Sequence, residues 1–178
     1  MGGPAPHPGG RSRVRAAARF DLLLGVGSPW LGDDGVGPWL ARRLRLPGWQ
    51  AIDCGTAPEN FTGRVRALAP RRLVVVDAAV MGLVPGSLRR LRPEDLAAAA
   101  VPGHRLPWPL LAGYLARLCS EFTVVAVQPL NLEPGAGLSR PVLRAARRLT
   151  RLLSGNRLDA LPLYGPGGQG RGYDPRVR

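Results

Sequence analysis

The sequence predicts a three-layer α/β sandwich: a five-stranded, mostly parallel sheet with an antiparallel edge strand and helices on both faces. Three observations carry this. The run RLVVVDA, Arg72–Ala78, is continuous and β-branched, as suits a strand covered on both sides. Apolar runs of this kind alternate with segments whose apolar residues recur every three or four positions. The last such segment, Pro141–Leu153, gathers Val142, Ala145, Ala146, Leu149, Leu152 and Leu153 on one face and Arg144, Arg148 and Arg151 on the other. Strands alternating with amphipathic helices build a sheet with helices packed on it.

The elements follow in order. Phe20–Val26 is a short apolar run leading into the loop GVGSPWLGDDGVG, residues 25–37, which holds five glycines and two adjacent aspartates. Val36, Trp39, Leu40 and Leu44 then keep helical spacing, with Asp33 or Asp34 available as cap and Pro38 tolerated in the first turn. Trp49–Cys54 reads as a second strand, and Pro58–Leu68 as a helix with Phe61, Val65 and Leu68 inward. After Arg72–Ala78, Pro85-Gly86 turns the chain into Ser87–Leu91, a short strand suited to the sheet edge. Pro93–Ala100 opens as a helix with Glu94 and Asp95 in its first turn. The proline-broken loop VPGHRLPWP then precedes a helix to about Cys119, and Phe122–Val127 is the fifth strand. One domain is expected over 20–155, between an Arg/Gly/Pro-rich disordered tail over 1–19 and a largely disordered tail over 156–178.

Composition narrows the function classes. The net charge of +13 is concentrated outside the domain's interior: four arginines and no acid in 1–19, nine arginines and two acids in 140–178. Twelve arginines face ten acids in 20–139, so no basic face with interleaved aromatics supports nucleic-acid binding. All 25 basic residues are arginine, which excludes a P-loop lysine and Schiff-base chemistry. No apolar stretch approaches the roughly 18 residues a membrane span needs. The N-terminus lacks the apolar core of a secretory signal, and two cysteines, Cys54 and Cys119, do not make a disulfide framework. A cytoplasmic protein is expected.

Glycine-rich turns after a buried strand usually cradle phosphate, a task opposed by paired carboxylates. Gly25-x-Gly27 is followed by Gly32, so the dinucleotide fingerprint is not met, although Asp53 stands where a ribose-binding acid belongs. Asp34 and Asp77 follow the first and third strands. With a strand order beginning 2-1-3, both lie at the carboxyl edge beside the switch point where such sheets bind ligands. A helix cap is the plainer role for Asp34, and a turn cap for Asp77. Two carboxylates facing one crevice call for a cation or a shared proton. His104, held in the proline loop, is the one histidine outside the N-terminal tail and is either a solvated loop residue or a third ligand. Two carboxylates and an imidazole suit Zn²⁺ or Ni²⁺. Ser28, Ser87, Ser139 and Cys54 have no histidine near in sequence, and no G-x-S-x-G elbow is present, so hydrolysis here favours metal-activated water.

Six stretches together resemble the hydrogenase maturation proteases: LLGVGSPWLGDDGVGP (23–38), IDCGTAPENFTG (52–63), LVVVDAAVMGLVPG (73–86), PGHRLP (102–107), VAVQP (125–129) and EPGAGLS (133–139). The resemblance spans roughly 20–155 and implies an endopeptidase that removes the C-terminal extension of a [NiFe]-hydrogenase large-subunit precursor. It places the family's metal-binding positions, also its catalytic ones, on Asp34, Asp77 and His104, with Asp33 as an outward cap. The metal it implies is the substrate's own nickel, sensed as a sign of completed cofactor assembly; Zn²⁺ or Cd²⁺ can take its place in isolation. GTAPEN and MGLVPG are most similar to the branch serving formate-linked hydrogenases. Ser28 departs from the family's usual asparagine. A monomer is implied. The alternatives are a nucleotide-binding α/β module, indifferent to nickel, and a metal-binding chaperone of the same fold that binds the precursor without cutting it.

Overall fold

The computed structural model describes residues 20–92, 95 and 108–165. The tails over 1–19 and 166–178, the expected helix at Pro93–Ala100 apart from Asp95, and the loop carrying His104 lie outside the described residues.

Five strands form one sheet: β1 (Asp21–Val26), β2 (Trp49–Gly55), β3 (Arg72–Ala78), β4 (Leu88–Leu91) and β5 (Glu121–Val127), in the order β2-β1-β3-β5-β4. Four are parallel, and β4 runs antiparallel to β5 at the edge. β1 and β3 are buried along their whole length, which is why they read as unbroken apolar runs rather than alternating ones. Helices α1 (Val36–Arg43) and α4 (Arg140–Ser154) follow β1 and β5; α2 (Thr62–Leu68) follows β2, and α3 (Trp108–Ala116) precedes β5. Leu23, Val74, Val76 and Val125 share one core with Leu40 of α1 and Leu149 of α4. On the opposite face Leu22, Leu24, Val75 and Val124 pack with Val65 of α2 and Leu115 of α3. The three layers are those expected.

Close packing of α1 explains two of the loop's glycines. A Cβ at Gly37 would lie 2.3 Å from the Val26 carbonyl oxygen and 2.5 Å from that of Val76, so the helix rests directly on the ends of β1 and β3. A Cβ at Gly25 would meet the Gly37 carbonyl oxygen at 2.1 Å from the other side. Gly27 and Gly32 instead supply the positive φ angles, 122° and 49°, that turn the chain off the sheet.

Two expectations change. α1 is preceded by a 3₁₀ turn, Gly32–Gly35, and its cap position is Gly35 with no side-chain cap, so neither Asp33 nor Asp34 caps it. The packed chain also continues past residue 155. Leu158 and Leu161 are buried, Arg90 N–H donates to the Pro162 carbonyl at 3.0 Å, and Tyr164 N–H donates to the Arg90 carbonyl at 2.8 Å. Hidden leucines and one extra rung on β4 outweigh the glycine and arginine content that suggested a tail.

Candidate active site

The strand order puts the topological switch at the carboxyl ends of β1 and β3, which run side by side with Gly25 opposite Val76. Asp77 is the next residue on β3 and is 3% exposed; its Oδ1 accepts the N–H of Ala78 at 2.8 Å. Strand alternation directs it to the same face as Val75, where α2 and α3 pack. Asp34 sits in the 3₁₀ turn beyond β1, 5% exposed, and its Oδ2 accepts the N–H of Ser28 at 2.6 Å. Gly27 leaves room for it: a Cβ there would stand 3.3 Å from the Asp34 carboxyl carbon. Asp77 thus lies near the end of β3, and Asp34 stands in the turn beyond the adjacent β1, folded back against Gly27 and Ser28. His104, the third predicted ligand, is outside the described residues.

Ser28 reaches Asp34 through its backbone amide, so the departure from asparagine at this position leaves that bond intact.

Asp33 is not an outward cap. It is fully buried and accepts four hydrogen bonds: from Leu130 N–H (2.8 Å), Asn131 N–H (3.1 Å), Ser139 N–H (2.6 Å) and the Ser139 hydroxyl (2.8 Å). Its own N–H donates to the Asn131 carbonyl at 2.8 Å. The carboxylate thus ties the loop after β5 to the loop after β1. Gln128, 6% exposed, does the same for the loop after β3: its Oε1 accepts Met81 N–H at 2.7 Å and Leu83 N–H at 3.2 Å. Sequence reasoning passed over Gln128; the signal was an amide directly after the buried run VAV, where a polar side chain needs partners.

The loop's amides answer the phosphate question. Ser28 N–H is taken by Asp34, Leu31 N–H by the Ser28 carbonyl, Asp33 N–H by Asn131 and Asp34 N–H by Leu31. Amides spent inside the loop cannot cradle a pyrophosphate. Asp53 is likewise engaged, accepting from Arg42 Nε at 2.7 Å and from Gly55 N–H at 3.0 Å.

Thiol nucleophiles fare no better. Burial, with the Asp53 charge beside it, pushes the Cys54 thiol up to about 12, and burial takes Cys119 to about 11. Neither is thiolate near neutral pH. The Ser139 hydroxyl donates to Asp33 at 2.8 Å. A cleft of about 300 Å³ lies at the opposite, amino edge, lined by Arg72, Arg90, Glu121 and Asp159. Its arginines are occupied, Arg72 by Glu121 at 2.8 Å and Arg90 by the Leu161 carbonyl at 3.0 Å. Asp34 and Asp77 lie away from this cleft, at the carboxyl edge.

Known proteins resemble this chain in sequence and in fold. The family model of hydrogenase maturation proteases (HycI) matches residues 36–155. The hydrogenase 3 maturation protease of Escherichia coli K12 is 35% identical over 139 residues, covering 76% of this chain and 89% of that protein. The solution structure of the endopeptidase HycI from Escherichia coli aligns with a TM-score of 0.75 at 32% identity, over 82% of this chain and 97% of that one. The crystal structure of the [NiFe] hydrogenase maturation protease HycI from Thermococcus kodakarensis KOD1 aligns with a TM-score of 0.67 at 26% identity, over 78% and 92%. With matching sequence, topology and length, the chain belongs to the hydrogenase maturation proteases and is an endopeptidase of that family.

Proposed function

We propose that this endopeptidase removes the C-terminal extension of a [NiFe]-hydrogenase large-subunit precursor after nickel insertion, and that Asp34, Asp77 and His104 recognise the nickel the substrate carries. The observation that carries the reading is the placement of two buried carboxylates, Asp77 near the end of β3 and Asp34 in the turn beyond the adjacent parallel strand β1. Buried like charges so placed favour a divalent cation between them.

The third ligand fits by connectivity. α3 ends at Ala116, just before β5 begins at the amino edge, so its first residue, Trp108, lies toward the carboxyl edge. His104 stands four residues before Trp108 in the sequence, outside the described residues. Two carboxylates and a neutral imidazole balance a divalent charge, and Zn²⁺ or Cd²⁺ would suit the same donors in the isolated protein.

Each residue then has a stated task. Backbone amides of Ser28 and Ala78 fix the Asp34 and Asp77 carboxylates, so their orientation costs nothing when substrate arrives. His104 contributes its neutral form and confers sensitivity to acid. The substrate's nickel would supply Lewis-acid character at the scissile bond, and the buried Cys54 and half-buried Cys119 thiols take no part.

Incubating the protein with nickel-loaded and nickel-free precursor, followed by intact mass, tests the proposal. Tail loss from the loaded form alone is expected, and Asp34→Ala or Asp77→Ala should slow it more than 100-fold. Equal cleavage of both forms would remove nickel recognition. Binding without cleavage of either would favour a chaperone.

A further inference from the structure

Beside Asp77 the carboxyl edge opens into a cleft of about 320 Å³, walled by Val80, Gly82, Leu83, Leu130 and Leu132 and floored by Gln128. Among the described residues no charged side chain lines it, in contrast to the carboxylates of Asp34 and Asp77. It is built rather than incidental. The buried Gln128 side chain holds one wall, its Oε1 accepting the amides of Met81 and Leu83 and its Nε2 donating to the Pro129 carbonyl at 3.2 Å. The opposite wall is held by Asp33, the neighbour of Asp34, through the amides of Leu130 and Asn131. Ala79 N–H is tied to the Val127 carbonyl at 3.0 Å, so the first wall leaves β3 two residues after Asp77 at a fixed angle.

Apolar side chains stand exposed around this rigid rim. Val80 is 45% exposed and Leu130 50%. Rigid, uncharged and continuous with the carboxylate edge, the cleft fits a piece of the chain being cut. Its size, at the low end for ligand pockets, suits one apolar side chain rather than a folded element.

We propose that this cleft is a specificity pocket that takes one apolar side chain of the substrate chain flanking the scissile bond. The proposal rests on the protease reading above and goes beyond it by assigning Val80, Leu83 and Leu130 the choice of sequence at the cut. An apolar pocket contact is worth about 10- to 200-fold in kcat/KM.

Leu130→Asp and Val80→Asp, both at exposed side chains, test it with nickel-loaded precursor. Each should lower kcat/KM about 10- to 100-fold with Tm unchanged, and Leu130→Met should retain activity. In the precursor, residues flanking the cut are replaced one at a time by aspartate. One of these changes should have little further effect in the Leu130→Asp background, the non-additivity expected of a direct contact. Wild-type rates in both protein variants, or additive effects at every substrate position, overturn the pocket while leaving the protease reading in place. Should the wild type leave the precursor whole, a synthetic peptide spanning the tail junction still decides the pocket. Methyl NMR shifts confined to Val80, Leu83 and Leu130 support it, and no shift there at millimolar peptide overturns it.

Discussion

Replacing Asp33 by alanine strands the amides of Leu130, Asn131 and Ser139 and the Ser139 hydroxyl, all of which donate to its carboxylate. A buried donor left without a partner costs about 1–3 kcal/mol, and water reaches part of this loop, so Asp33→Ala should lose roughly 3 kcal/mol in urea unfolding. Asp34→Ala loses the Ser28 amide bond and should stay folded while losing processing. An Asp33→Ala variant as stable as the wild type would show that the four donors find other partners. Asp77 was legible in the sequence because it ends an apolar run, and Asp34 because it stands in the glycine-rich loop after one, although a cap was the plainer role for each. Asp33 was not. Its partners stand 97 to 106 residues away in the chain, and no local spacing announces them. Gln128 escaped for the same reason, with partners 47 and 45 residues upstream. His104 stood out as the sole histidine beyond the N-terminal tail, a signal of composition rather than of geometry.

At the scale of elements, periodicity performed well wherever burial is continuous: β3 and α4 lie where the apolar pattern placed them. The start of α1 was harder, because helix caps and close helix–strand approach depend on contacts across layers. Gly37 makes that approach. A side chain there would drive into the Val26 amide nitrogen at 2.4 Å and the Val26 and Val76 carbonyl oxygens, all backbone atoms that cannot rotate away. Overpacking of this kind typically costs 1–3 kcal/mol and more when backbone must shift. Gly37→Val should therefore cost at least about 3 kcal/mol, and by lifting α1 it should displace Asp34 and abolish processing. The check is a denaturation curve paired with the precursor assay. Gly63, by contrast, has open space around an added Cβ, so Gly63→Ala in α2 should be neutral or stabilising.

Across the whole molecule, the two edges of the sheet are built from different interactions. The carboxyl edge gathers Asp34, Asp77 and the apolar cleft. The amino edge holds the ion pairs of Arg71 with Asp21 and Arg72 with Glu121, and beside them the segment 156–165 closes over the core. Leu161 is 1% exposed there and belongs to the core shared by α1, α4 and that face of the sheet. Truncating such a leucine costs about 2–5 kcal/mol. For a chain of this size each kcal/mol moves Tm by about 2–4 °C, so Leu161→Ala should lower Tm by roughly 5–15 °C. Leu161 packs in the core beside β4, outside the site, so kcat/KM for nickel-loaded precursor at 15 °C should stay within about twofold of the wild type. A chain ending at Gly155 removes Leu158, Leu161 and the rung on β4 together, and should melt lower still. An unchanged Tm in both forms would place the end of the folded unit at residue 155, whereas a fall in kcat/KM matching the fall in Tm would show that the two edges are coupled.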